Sequence, residues 1–161
     1  MIDVALLFLR VSIGVLMLGH ATQKLFGWFG GGGISGAFKL NQNLRLRPVW
    51  VWVGMALASE TGGSLLLILG LFNPLGMVAI CAAMLMAAVT VNWPRYWGSK
   101  AGIEYNILFV IPPIAVGLAG PGKYSLDAAM HFALPEPAAA LIGLVLAILG
   151  VVVALATRRP R

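Results

Sequence analysis

A single carboxylate, Glu60, stands near the middle of an apolar stretch that runs from Val49 to Phe72. About 20 residues cross a bilayer core, so this stretch reads as a transmembrane helix with an ionisable group near its midplane. A charge at that depth costs from ~2.5 to well above ~10 kcal/mol, depending on how the cost is measured. Such a group is expected to be paired, protonated or turned toward a polar cavity. The apolar stretches hold few companions for it: Arg10 and His20 in the first, and Glu104 at the start of the fourth.

The class follows from composition. The chain is 60% apolar and 10% charged, with a mean hydropathy of +0.95, whereas a soluble domain carries about 25% charged residues. Five spans are expected, at roughly 4–23, 49–72, 74–91, 103–119 and 138–157. Each is about 17–24 residues, or ~26–36 Å at 1.5 Å per residue. Lipid offers no hydrogen bonds to a backbone, so the spans must be helices. Asn73-Pro74 leaves almost no loop between the second and third. The two form a tight antiparallel hairpin, with Pro74 at a helix start, where its missing N–H does no harm.

Basic residues are unevenly distributed. Lys24, Lys39, Arg45 and Arg47 surround the first loop, Arg95 and Lys100 lie in the third, and Arg158, Arg159 and Arg161 end the chain. The second loop has none and the fourth only Lys123. Five spans put the three basic regions on one side, which the positive-inside rule makes cytoplasmic. The N-terminus is then expected outside and the C-terminus inside. The net charge of +6 reads as topology and contact with anionic lipid, not nucleic-acid binding. No cation precedes Arg10, so no signal peptide is expected. Cys81 is the sole cysteine, which excludes an internal disulfide and a two-thiol relay within one chain.

The first loop opens with Phe26-Gly27-Trp28-Phe29 and then four glycines, Gly30 to Gly33. The aromatic residues suit a membrane interface, and the run lacks the phosphate-binding GxxxxGK[ST] pattern. Ser35 to Leu44 reads as a short interfacial helix. Gly54, Ala58 and Gly62 recur every four residues and are expected to form a close helix-packing face. Glu60 lies about 200° around the helix from Ala58 and Gly62, at ~100° per residue. The third span is expected to end at Val91-Asn92-Trp93-Pro94, and Pro112-Pro113 should kink the fourth. A short outer helix is expected from Ser125 to Phe132. Gly143, Ala147 and Gly150 give the fifth span, which has no ionisable residue, a small-residue packing stripe.

Arg10, His20 and Lys24 share one face of the first helix, and Gln23 follows His20 by three. Arg10 should lie slightly outward of the midplane, where it could form a charge-assisted structural pair with Glu60. Toward the cytoplasm, His20, Gln23, Lys24, Asn92, Trp93 and Glu104 should lie in one layer. Each also has a plainer role: a snorkelling arginine, a structural clasp, an interfacial histidine, a glutamate favouring a helix N-terminus. No metal site is expected, because no ligand pair sits at i, i+3 or i, i+4. No haem is expected, because His20 and His131 fall on opposite sides.

Several ordered motifs carry a family resemblance. They are Leu9-Arg10, Gly19-His20-Ala21-Thr22-Gln23-Lys24-Leu25-Phe26-Gly27-Trp28-Phe29, Glu60 with Gly62-Gly63, Asn92-Trp93-Pro94, Glu104-Tyr105-Asn106, and Gly120-Pro121-Gly122-Lys123-Tyr124-Ser125-Leu126-Asp127. Across about residues 4–130 the chain resembles the DoxX family of small bacterial membrane proteins, which includes relatives of the thiosulfate:quinone oxidoreductase small subunit. Ala21 stands where that family usually has glycine, and Asn92 where it often has histidine. The resemblance implies an all-α, polytopic four-helix membrane bundle, here residues 1–134. Residues 135–161 then add a fifth C-terminal transmembrane helix and a basic tail.

It also implies an integral membrane subunit of an oxidoreductase system in the bacterial inner membrane. Quinone is the expected cofactor, contacted through the cytoplasm-side polar layer. His20, Glu60 and Glu104 would exchange protons there, and Gln23, Lys24, Asn92 and Trp93 would bind the head. Electrons would need a partner or bound cofactor. Lipids and protein partners, in a membrane complex or a homo-oligomer, are the expected company. Two rival readings remain: a non-catalytic accessory subunit that stabilises a larger respiratory or photosynthetic complex, and a small-molecule transporter.

Overall fold

A computed structural model describes residues 1–158; Arg159 and Arg161 of the basic tail lie outside them. The described chain is helical, without strands. It comprises α1 (Ile2–Phe26), α2 (Gly33–Asn43), α3 (Val49–Leu69), α4 (Leu75–Ala87), α5 (Glu104–Ala119), α6 (Leu126–Ala129) and α7 (Ala138–Ala156). A π-helical turn, Ala88–Asn92, prolongs α4. With that turn included, α1, α3, α4 and α7 are long and apolar enough to cross a membrane, and α5 is a shorter apolar helix of 16 residues. The protein is therefore an all-α, multi-pass membrane bundle.

Four helices close a ring in which α1 and α4 each pack against both α3 and α5. Leu6, Met17, Leu67, Ile80, Met84 and Val116 fill its centre. The last helix, α7, lies outside the ring against α4, with a lighter contact to α5. There Ala140 joins Met77 and Cys81 in a second apolar cluster. The short α2 tucks Ala37 onto Val49 and Val53 at the start of α3.

Local chemistry explains most boundaries. α1 stops at Gly27 and α3 at Gly70, both in the left-handed conformation that glycine adopts without penalty. Trp93 is extended ahead of Pro94, as a pre-proline residue prefers. The interfacial helix begins two residues earlier than expected, at Gly33. The outer helix is a single turn, capped by the Ser125 hydroxyl, which accepts from the Ala128 N–H. α5 runs through both Pro112 and Pro113.

The small-residue faces differ from expectation. A side chain at Gly54 or Gly62 would meet nothing within 4 Å, so that stripe is not a packing seam. The close approaches are made by Gly63, against Ala79, Ile80 and the Gly76 carbonyl, and by Gly14, against Ile68 and the Ser64 carbonyl. On α7 the stripe divides. Gly143 presses on Val78, whereas Gly150 faces open space. The surplus small residues border a groove instead.

Candidate functional site

The bundle has two polar ends of different character. At the first, Arg10 is 1% exposed. Its Nη1 donates to the Ile68 carbonyl at 3.1 Å and its Nη2 to the Tyr124 carbonyl at 2.6 Å. Gly70 is hemmed in by the guanidinium, so a side chain there would collide with it. Asp127, 2% exposed, lies close enough to act on Arg10 electrostatically. Its carboxylate accepts the backbone N–H groups of Phe72 and Asn73, both at 2.7 Å. Asn73 in turn donates through Nδ2 to Glu136 at 2.5 Å. Asp3 accepts the Lys123 N–H at 3.0 Å. The α3–α4 turn, the segment after α5 and the start of α1 are thus tied together by bonds that reach into the backbone.

At the opposite end, Lys24 and Glu60 form an ion pair and hydrogen bond. Glu60 is 2% exposed, while the Lys24 side chain is 32% exposed. The Ser64 hydroxyl donates to the Glu60 carbonyl. Glu60 Oε2 is buried with no hydrogen-bond partner. This pair lines a groove of about 550 Å³ between α3, α4 and α7, to which Asn41, Leu44 and Leu46 also contribute. Its walls are mainly small or apolar side chains, among them Ala58, Gly62, Ala79, Ala83, Ala147 and Gly150. Thr90 and Val91 of the π-helical turn lie at its rim; π turns recur at functional sites.

The expected Arg10–Glu60 pair does not form, and register explains why. Gly14 abuts Ser64 and Ile68, which sets Arg10 beside the end of α3. Glu60 lies eight residues below Ile68, or about 12 Å along the helix. Side chains also lean toward their own helix N-terminus. Arg10 therefore leans away from Glu60, whereas Lys24 and Glu60, on antiparallel neighbours, lean toward each other. That lean is a signal the sequence already contains.

The other expected site residues make separate local contacts. His20 is exposed and meets the Phe109 ring edge-on at 5.5 Å. Gln23 donates to the Phe29 carbonyl at 3.4 Å. Asn92 donates to the Ala101 carbonyl at 2.7 Å. Glu104 accepts the Gly98 N–H at 2.7 Å and so closes the turn before its own helix. Trp93 is 66% exposed. None of these five lines the groove; of the expected site residues only Lys24 and Glu60 do. Sequence reasoning missed the structural roles of Asp127, Asn73 and Glu136, although Asp127 follows a serine cap in a glycine-rich turn, a familiar place for a backbone-binding carboxylate.

The family model described as DoxX matches residues 5–93, more than half of the chain, from the first turn of α1 through the end of α4. No curated protein and no solved structure matches the chain.

Proposed function

The chain belongs to the DoxX family, and from that premise we propose that it is a membrane subunit of a quinone-linked oxidoreductase system whose ligand enters the α3–α4–α7 groove. The groove itself carries this reading. At about 550 Å³ it lies within the ~300–1,000 Å³ range of ligand sites. It is apolar along its length and has one charged pair, Lys24 and Glu60. A ring and tail that dissolve in lipid fit such walls, and the pair orients a polar head.

Quinone, when bound, supplies the capacity to take up electrons and protons. The residues of this chain bind and orient it. Lys24 Nζ can donate to a ring oxygen, the Ala and Gly walls admit a flat ring, and α7 shuts one side against lipid. Electron transfer over distance falls to a partner, because the single cysteine provides no two-thiol relay. This places the head group deeper and more laterally than the layer expected from sequence, without His20, Gln23, Asn92, Trp93 or Glu104.

We also propose that the Lys24 end faces the cytoplasm of a bacterial inner membrane. The loops at that end carry Lys39, Arg45, Arg47, Arg95 and Lys100, as the positive-inside rule requires.

Binding of a short-tailed quinone analogue to purified protein in lipid nanodiscs tests the groove. Gly150→Leu and Gly62→Leu fill space that is otherwise open. Each is expected to weaken binding at least tenfold, about 1.4 kcal/mol. Equal binding by all three proteins, or none by the wild type, would put the accessory-subunit role first.

A further inference from the structure

We infer that the groove selects the reduced, dihydroxy form of its ligand over the oxidised dicarbonyl form; this deepens the quinone reading above and rests on it. The inference comes from what the groove leaves unbonded. Asn41 Nδ2 already donates to the Ala37 carbonyl at 2.9 Å, and Thr90 Oγ1 to the Met86 carbonyl at 2.7 Å. Trp52 Nε1 donates to the Arg47 carbonyl at 3.3 Å. Lys24 Nζ is engaged by Glu60 Oε1. The Thr90 and Trp52 donors are thus turned back into the protein, while Lys24 and Asn41 each keep at least one N–H to offer. Ser59 has a hydroxyl that can donate or accept, so it does not discriminate.

The groove-lining atom that is buried with no partner at all is an acceptor. Glu60 Oε2 is buried, belongs to a charged pair and has no partner. The terminal torsion of a glutamate is broad and two-fold. A partial rotation about it can bring this oxygen to the groove, which Glu60 lines, while the other keeps the lysine. A carboxylate oxygen in that position is satisfied by an O–H donor and by nothing that only accepts. A hydroquinone head offers two O–H groups. One gives a charge-assisted bond to Glu60, and a remaining N–H of Lys24 can serve an oxygen of the same head. An oxidised head offers carbonyls alone. It can use Lys24, but it sets a lone pair against Glu60 Oε2 and leaves that atom unbonded. The Glu60 side chain is thus the specificity-determining contact, and the small residues around it set how close a ring can come.

The test measures both redox forms of one short-tailed analogue, under anaerobic conditions, against wild type, Glu60→Gln and Gly150→Leu. The wild type is expected to bind the hydroquinone at least tenfold tighter than the quinone. Glu60→Gln should bring the two forms within about threefold of each other, because an amide can donate as well as accept. Gly150→Leu should weaken both forms alike. A wild type that binds both forms equally, or a Glu60→Gln protein that keeps the preference, overturns the inference while leaving the groove a quinone site. Failure of either form to bind, or indifference to Gly150→Leu, overturns the groove reading and this inference with it. So does a disulfide cross-link between two chains carrying Gly150→Cys, formed in lipid and unaffected by ligand, which makes a second copy the occupant. Should Glu60→Gln not assemble, the infrared carboxylate band of the wild type gives the answer alone: it shifts on adding hydroquinone and stays in place on adding quinone.

Discussion

The Arg10 end and the Lys24 end solve the same physical problem in opposite ways. Each must keep a charge inside an apolar bundle. At the Arg10 end the guanidinium is held by backbone carbonyls of the α3 terminus and of Tyr124, and Asp127 by two backbone N–H groups. Such partners cannot move without moving helices. At the Lys24 end, side chain meets side chain, one partner is partly exposed and one carboxylate oxygen is unbonded. Charges bonded mainly to the backbone build a frame, even though the Arg10 Nε is left without a partner. An ion pair with spare capacity beside a groove can respond to a ligand.

If this contrast is right, stability should reside at the Arg10 end. Arg10→Leu strips hydrogen bonds from buried carbonyls and leaves Asp127 without its opposing charge. Breaking a buried charged partnership typically costs about 3–5 kcal/mol, and we expect a loss of that size in denaturant unfolding in detergent. A loss under about 1 kcal/mol would erase the distinction between the two ends.

Gly63→Leu comes next. It forces a side chain onto Ala79 and the Gly76 carbonyl, and overpacking of this kind costs about 1–3 kcal/mol. Thermal unfolding should separate it clearly from Gly62→Leu, one residue away on the groove side. If the two behave alike, the α3–α4 seam has been misplaced.

Glu60→Gln should cost less, about 1 kcal/mol, because Lys24 is partly exposed and can turn its ammonium to water. The two ends should also be energetically independent. Arg10→Leu and Glu60→Gln are expected to add within about 0.5 kcal/mol, whereas Lys24→Met and Glu60→Gln should not add. Marked coupling between Arg10 and Glu60 would show communication along α3 that direct contacts do not supply.

The smallest effect is expected for Gly150→Leu. It meets open space, so its melting temperature should match the wild type, a stability change within about 0.5 kcal/mol. Ligand affinity is the property it should alter. A large destabilisation would mean that the groove closes in the membrane and that α7 packs more tightly than it does here.

The sequence made the frame readable but not the site. Glu60 stood out as a buried charge from its apolar neighbours alone, and it is buried. The five apolar helices follow from a local requirement, since every backbone group in lipid must bond within its own helix. The glycine stops after α1 and α3 and the proline beyond α4 are local too. Position along each span points to Arg10 as the partner of Glu60, whereas the direction in which side chains lean selects Lys24. The packing stripes differ from expectation for a related reason. Gly54, Ala58 and Gly62 have the spacing of a seam, yet spacing cannot say whether a neighbouring helix lies close or stands off.

By itself, then, the sequence determined what each segment had to be: the spans, their ends, the basic loops gathered on one side of alternating helices, and a charge that needed a partner. These are consequences of composition and of a backbone that bonds to itself, and they act over a few residues at a time. The tertiary structure alone decided which residues meet. Gly14 lets α1 approach α3 and so fixes the register that parts Arg10 from Glu60, and Gly63 does the same between α3 and α4. Placing α7 outside the ring leaves the opposite small-residue face uncovered, and that is what makes a groove. Contacts between helices depend on distances among segments far apart in the chain, and no local pattern of residues carries that information.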